Sequence, residues 1–168
     1  MNKLILDGVE YKLSDELVAK LKQEMAITDV VRRNQTVFDR ADGKRYYFVD
    51  KAGDVATYID DGVTTDDALY AAANYCRDEE TMNQRALHEK LNRFLWRYSE
   101  THGGDNSWET TDNHHYVICW ETPGGLTVTY FVMAKAQGVV YFKDEKTARS
   151  AIEEVVKPFL EEHPEFVW

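Results

Sequence analysis

The chain has 168 residues, 43% of them apolar and 30% charged, enough for a globular domain with a sizeable core. Thirty acids against twenty bases leave a net charge of −10, which argues against a general nucleic-acid binder, because phosphate binding needs a basic surface. No stretch approaches the ~18 consecutive apolar residues of a membrane span. The opening Met1–Asp7 turns polar too soon for a secretory signal, and Cys76 and Cys119 stand 43 residues apart without a paired metal-ligand spacing, so a reduced cytoplasmic protein is expected.

The first 26 residues read as strand, turn, strand, helix. Leu4-Ile5-Leu6 and Val9-Glu10-Tyr11-Lys12-Leu13 flank Asp7-Gly8, a dipeptide suited to a two-residue hairpin turn because both positions must accept positive φ. Ser14 is placed to cap a helix whose first turn holds Asp15 and Glu16, with Leu17, Val18, Leu21 and Met25 at helical spacing. Residues 27–44 lack a clean period and read as a linker. Arg45–Asp50 and Val55–Ile59 read as two strands joined by Lys51-Ala52-Gly53-Asp54. Thr65-Asp66-Asp67 looks like a helix start, and a longer helix follows Asp78, with Met82, Leu87, Leu91, Phe94, Leu95 and Tyr98 on one expected stripe. Arg85–Glu89 and Glu89–Arg93 are spaced for surface ion pairs. His102-Gly103-Gly104 should end that helix.

Beyond the boundary at 101–107, His115–Trp120, Leu126–Met133 and Val139–Phe142 read as three strands, the first two joined by Pro123-Gly124-Gly125. A final helix follows Asp144, and Pro158 should loosen its last turn. The apolar ending Phe166-Val167-Trp168 should dock back on the body. Tyr75–Thr81 lies over Tyr141–Thr147 at an offset of 66 residues, each stretch following a hairpin and opening a helix. The expected architecture is α+β: a hairpin–helix module at 1–26, a linker at 27–44, a hairpin–helix unit at 45–100 and a second at 108–168 packed on the first.

Several stretches resemble small proteins of bacteriophages and prophages of Gram-positive bacteria. They are Leu4–Leu17; Arg45–Asp50 with Gly53-Asp54-Val55; Asn74-Tyr75-Cys76 with Glu79-Glu80-Thr81; Leu91–Ser99; and Lys157–Trp168. The resemblance brings no catalytic residues. It implies the cytoplasm of a bacterial host and makes counter-defence proteins, anti-CRISPR inhibitors included, the class to consider.

A search for chemistry returns little. Gly103-Gly104 and Gly124-Gly125 lack the context of a phosphate loop, and no GxSxG, HExxH or paired CxxC is present. Asp112 and His114 would share one face of a strand and could hold a metal, which makes a metal-dependent enzyme one alternative; a polar strand end is the plainer account. Cys119 with His88 or His102 could form a nucleophile pair, although a buried structural cysteine is commoner. No cofactor is implied.

Charge carries more. Asp50, Asp54, Asp60, Asp61, Asp66, Asp67, Asp78, Glu79 and Glu80 face only Lys51 and Arg77 between residues 50 and 80. Some of these acids suit turns and helix starts. Taken together they could form a negative face that docks on the basic surface of a host protein, an RNA-guided nuclease being the natural example, with no direct contact to nucleic acid or membrane. Trp96, off the stripe, and Trp108, in the loop, are further contact candidates unless the fold buries them. Self-association as a phage accessory or structural protein, through a swapped Phe166–Trp168 tail, is the other alternative.

Overall fold

In a computed structural model the described residues are 3–6, 9–12, 14–23 and 36–168. They form an α+β fold in which the strands make three antiparallel pairs. The chain divides into two compact units, Met1–Arg40 and Ala41–Trp168.

In the first unit, β1 (Lys3–Leu6) pairs with β2 (Val9–Lys12) and Leu6 stands opposite Val9, the register of a two-residue connection. The Asp7-Gly8 turn itself, the end of the helix expected near Ala26 and residues 27–35 of the 27–44 linker lie outside the described residues. Helix α1 covers residues 15–23. Ser14 caps it through both oxygens: Oγ accepts from Leu17 N at 3.2 Å and the carbonyl from Val18 N at 3.0 Å.

In the second unit, β3 (Arg45–Val49) and β4 (Val55–Ile59) form the first hairpin of that unit. The run Tyr-Tyr-Phe-Val has no polar member because both faces of β3 pack. Tyr46 and Phe48 join Ala41 and Tyr75 in one apolar cluster. Val49 joins Cys76, Met82 and Ala86 in another, with Tyr47 against it. Helix α2 (Thr64–Ala71) follows, then α3 (Glu79–Thr101), capped by Asp78, whose side chain accepts from Thr81 N at 2.8 Å. The expected single stripe on α3 divides in two. At ~100° per residue, Met82 and Leu91 point about 180° apart. Met82 and Ala86 therefore face the first hairpin, while Leu91 and Leu95 face the cluster of Phe142, Ala148, Ala151, Val156 and Phe159. Arg85 pairs with Glu89 at 2.8 Å, whereas the Arg93 guanidinium lies over Gly53 in the β3–β4 turn. Helix α3 ends at Thr101, as the glycines after His102 require.

Strands β5 (His115–Glu121) and β6 (Gly125–Phe131) form the second hairpin of this unit. The strand expected over Val139–Phe142 is reduced to one bridge, Phe142 with Tyr116. The neighbouring backbone groups bond elsewhere: Ser99 Oγ donates to Tyr141 O at 2.5 Å, and Lys143 N donates to Gly104 O at 3.0 Å. The closing helix is three pieces, α4 (Glu145–Ala151), a π turn (Ile152–Val156) and α5 (Lys157–Glu162). Pro158 removes the N–H that Glu154 O would accept, and the widened turn absorbs the gap just before it. The stretches matched at an offset of 66 share local features: Cys76 bridges Tyr47 as Phe142 bridges Tyr116, and Asp78 caps through Thr81 N as Asp144 caps through Thr147 N.

Candidate functional site

The nine acids between residues 50 and 80 do different work. Asp60 is 4% exposed and Asp66 1%, so neither offers its carboxylate to a partner. Tyr75 Oη donates to Asp60 Oδ2 at 2.5 Å and itself accepts from Ala41 N at 2.7 Å. Tyr46 Oη donates to Asp66 Oδ1 at 2.7 Å, while Asp66 Oδ2 accepts from Asp61 N at 3.0 Å and Val63 N at 3.1 Å. The Tyr46 and Tyr75 rings stack with centroids 4.1 Å apart. Burial, then the hydrogen bond and the charge of Asp66, push the Tyr46 phenol well above its ordinary value. Two carboxylates and two phenols thus tie α2 and the 60–63 loop to the first hairpin. A buried carboxylate is tolerable only where donors replace its water.

Asp50 and Asp78 are half-buried and serve the backbone. Asp50 Oδ1 accepts from Ala52, Gly53 and Asp54 N–H groups, and these bonds, that of Asp54 foremost, hold its carboxyl below the ordinary aspartate value. Asp78 is lowered likewise by its bonds with Thr81. The remaining five, Asp54, Asp61, Asp67, Glu79 and Glu80, are exposed. Among the described residues, Asp54, Asp61, Glu79 and Glu80 form no ion pair with lysine or arginine. Asp54 and Asp61 sit beyond opposite ends of β4, five residues or ~17 Å of strand apart. Of the nine carboxylates, then, two are buried within the fold, two serve a turn and a cap, and five are exposed on the first hairpin and the helices that follow it. The charge itself is concentrated. Residues 41–168 hold twenty-three acids against thirteen bases, while residues 1–40 hold seven of each.

The histidines resolve differently from their sequence pairing. His114 stacks on Tyr130 with centroids 4.2 Å apart, and Asp112 is an exposed loop residue with no bond to it among the described residues. Among those residues no group of three or more His, Cys, Asp or Glu side chains is arranged to hold a metal. A partly buried acid–imidazole pair is instead formed by His115 with Asp105, Nδ1 to Oδ1 2.8 Å, which the sequence reading missed because the partners are ten residues apart and one is in a loop. Trp108 Nε1 donates to Asp105 Oδ2 at 2.7 Å and its ring stacks on His115 at 3.3 Å between centroids. His115 is fully buried, so this trio pins the 105–113 loop onto the second hairpin. His88 packs on Phe166 and His102 on Tyr98, and neither is bonded to Cys119, whose thiol burial pushes up.

Of the two tryptophan candidates, Trp108 is spent on His115 while Trp96 stands 61% exposed on α3. Phe166 and Trp168 pack on the chain's own body: Gln84 Nε2 donates to Glu165 O at 2.6 Å, and Gln84 Oε1 accepts from Val167 N at 3.0 Å. No described helix is long and apolar enough to cross a membrane. Comparison with known protein families, with characterised proteins and with solved structures finds no match to this chain.

Proposed function

We propose that the protein is a binding protein that acts by docking its acidic second unit on a basic macromolecular surface, in the manner of a phage-encoded inhibitor of a bacterial defence effector. The supporting observation is the confinement of the whole net charge of −10 to residues 41–168, with Asp54, Asp61, Glu79 and Glu80 exposed and unpaired with lysine or arginine among the described residues. A surface so charged speeds encounter with a basic partner and makes the complex sensitive to salt. The resemblance to phage proteins supplies the setting, and an RNA-guided nuclease, with its basic channel for a heteroduplex, is the partner class the charge suits.

The test must spare Asp60 and Asp66, whose substitution would injure the fold. The informative variant neutralises Asp54→Asn, Asp61→Asn, Glu79→Gln and Glu80→Gln together. Four contributions of a few tenths of a kcal/mol each should weaken binding to a purified RNA-guided nuclease about tenfold and flatten its salt dependence. Parent protein that neither binds nor inhibits at low salt would refute the partner class. A neutralised variant equal to the parent would refute the acidic mechanism.

A further inference from the structure

A cleft of about 320 Å3 opens between α3, the stretch Gly138–Val140 and the segment Phe166–Trp168. Its floor is made by core residues, Leu91, Leu95 and Phe142, so it reaches into the packed interior. Two side-chain amides of α3 hold the walls. Gln84 clamps the 165–167 backbone through a donor and an acceptor, and Asn92 Nδ2 donates to Gly138 O at 3.0 Å. Gln84, His88 and Asn92 follow one another at four-residue intervals, which aligns them along one strip of the helix. His88, in the middle, packs against Phe166 with centroids 4.6 Å apart. The walls are thus pinned by hydrogen bonds to a rigid helix, and the cleft is formed in advance of any occupant.

The chemistry of the lining selects the occupant. Its one formally charged side chain, Glu89, is already engaged by Arg85 at 2.8 Å. A charged ligand would find no free counter-charge there, and an anion would also meet a chain of net charge −10. The polar groups at the rim are an imidazole, His88, and a carboxamide, Asn92, suited to one hydrogen-bonding head. A cavity of ~150 Å3 accommodates one benzene ring and ligand sites begin near ~300 Å3, so this volume fits about two rings or a medium alkyl chain. We propose that the cleft between α3, Gly138–Val140 and Phe166–Trp168 is a binding site for an uncharged, largely apolar small molecule carrying a single hydrogen-bonding head. The proposal is independent of the acidic docking surface.

The test uses the full chain and a neutral naphthyl probe, N-phenyl-1-naphthylamine, followed by its fluorescence and by energy transfer from tryptophan, Trp168 being part of the cleft wall. Saturable binding of one probe per chain is expected. Val139 lines the cleft and is exposed, so Val139→Arg should block entry without disturbing the core and weaken binding about tenfold or more. Trp120→Arg, at an exposed aromatic on the second hairpin, should leave binding unchanged. The Asn92 side-chain amide and the Gly138 main-chain amide should shift in NMR spectra on titration. The anionic analogue 8-anilinonaphthalene-1-sulfonate should bind about tenfold more weakly than the neutral probe. Unsaturable binding, or a Val139→Arg variant that binds as the parent does, would overturn the site. Equal binding of the anionic analogue would overturn its preference for uncharged ligands.

Discussion

Removal of Asp66 should be among the most damaging single changes to the second unit, although the residue sits in a run that reads as surface charge. Its carboxylate accepts three hydrogen bonds, from Tyr46 Oη, Asp61 N and Val63 N. In Asp66→Ala the Tyr46 hydroxyl loses its acceptor on a ring with no exposed surface, which costs ~1–3 kcal/mol. The two main-chain donors belong to exposed residues that water can reach, so each adds ~0.5–1 kcal/mol. The sum is ~2–5 kcal/mol, a Tm lower by roughly 8–20 °C for a unit of this size. Tyr46→Phe removes one of the three bonds and should cost ~1–2 kcal/mol. Urea unfolding followed by circular dichroism, with an unchanged m-value, gives both numbers and that of the double variant. The two effects should fall short of additivity by ~1–2 kcal/mol, because one hydrogen bond is counted in both. The neighbour Asp61→Ala should change stability by less than ~0.5 kcal/mol, since its side chain is exposed and accepts no hydrogen bond among the described residues. A loss below ~0.5 kcal/mol for Asp66→Ala, or strict additivity with Tyr46→Phe, would refute the reasoning.

Three other outcomes are expected. The carboxyls of Asp50, Asp78 and Asp144 are held below 3.8 by hydrogen bonds to backbone or threonine, so their stabilisation is complete above that pH and is lost as pH falls through the lowered values. Asp78→Asn keeps an acceptor for Thr81 N but no longer titrates, and thermal unfolding below pH 4 should show a shallower acid loss than in the parent. Asp105→Ala strips the acceptor from His115 Nδ1 and Trp108 Nε1 together, which should cost ~2–4 kcal/mol and shift Trp108 fluorescence to the red in native buffer; unchanged stability and emission would remove the trio from the fold's support. Gly53 has φ +95°, and a Cβ there would stand 2.2 Å from the Arg93 guanidinium, so Gly53→Ala should cost ~1–2 kcal/mol by urea unfolding even after Arg93 moves aside.

Whatever depended on near neighbours in the chain was legible in the sequence. The Asp78 and Ser14 caps need only a donor three residues ahead, and both form. The glycines past His102 end α3 because positive φ is cheap there, and Pro158 marks the place where the last helix widens because it lacks one N–H. The concentration of charge after residue 40 is likewise a property of composition.

What each acid does was decided by partners far away in the chain. Asp60 and Asp66 are drawn into the interior by Tyr75 and Tyr46, 15 and 20 residues distant, while their neighbours Asp61 and Asp67 stay exposed. No local pattern separates a carboxylate that will meet a phenol from one that will meet water. The same holds for the two faces of α3, since a hydrophobic period reports that a helix is buried and leaves open how many layers bury it. It holds for His115, ordered by a loop aspartate and an indole, and for the cleft, whose walls come from three separated segments. Local backbone geometry follows from short-range sterics and hydrogen bonding; burial and juxtaposition follow from packing, which only the folded chain contains.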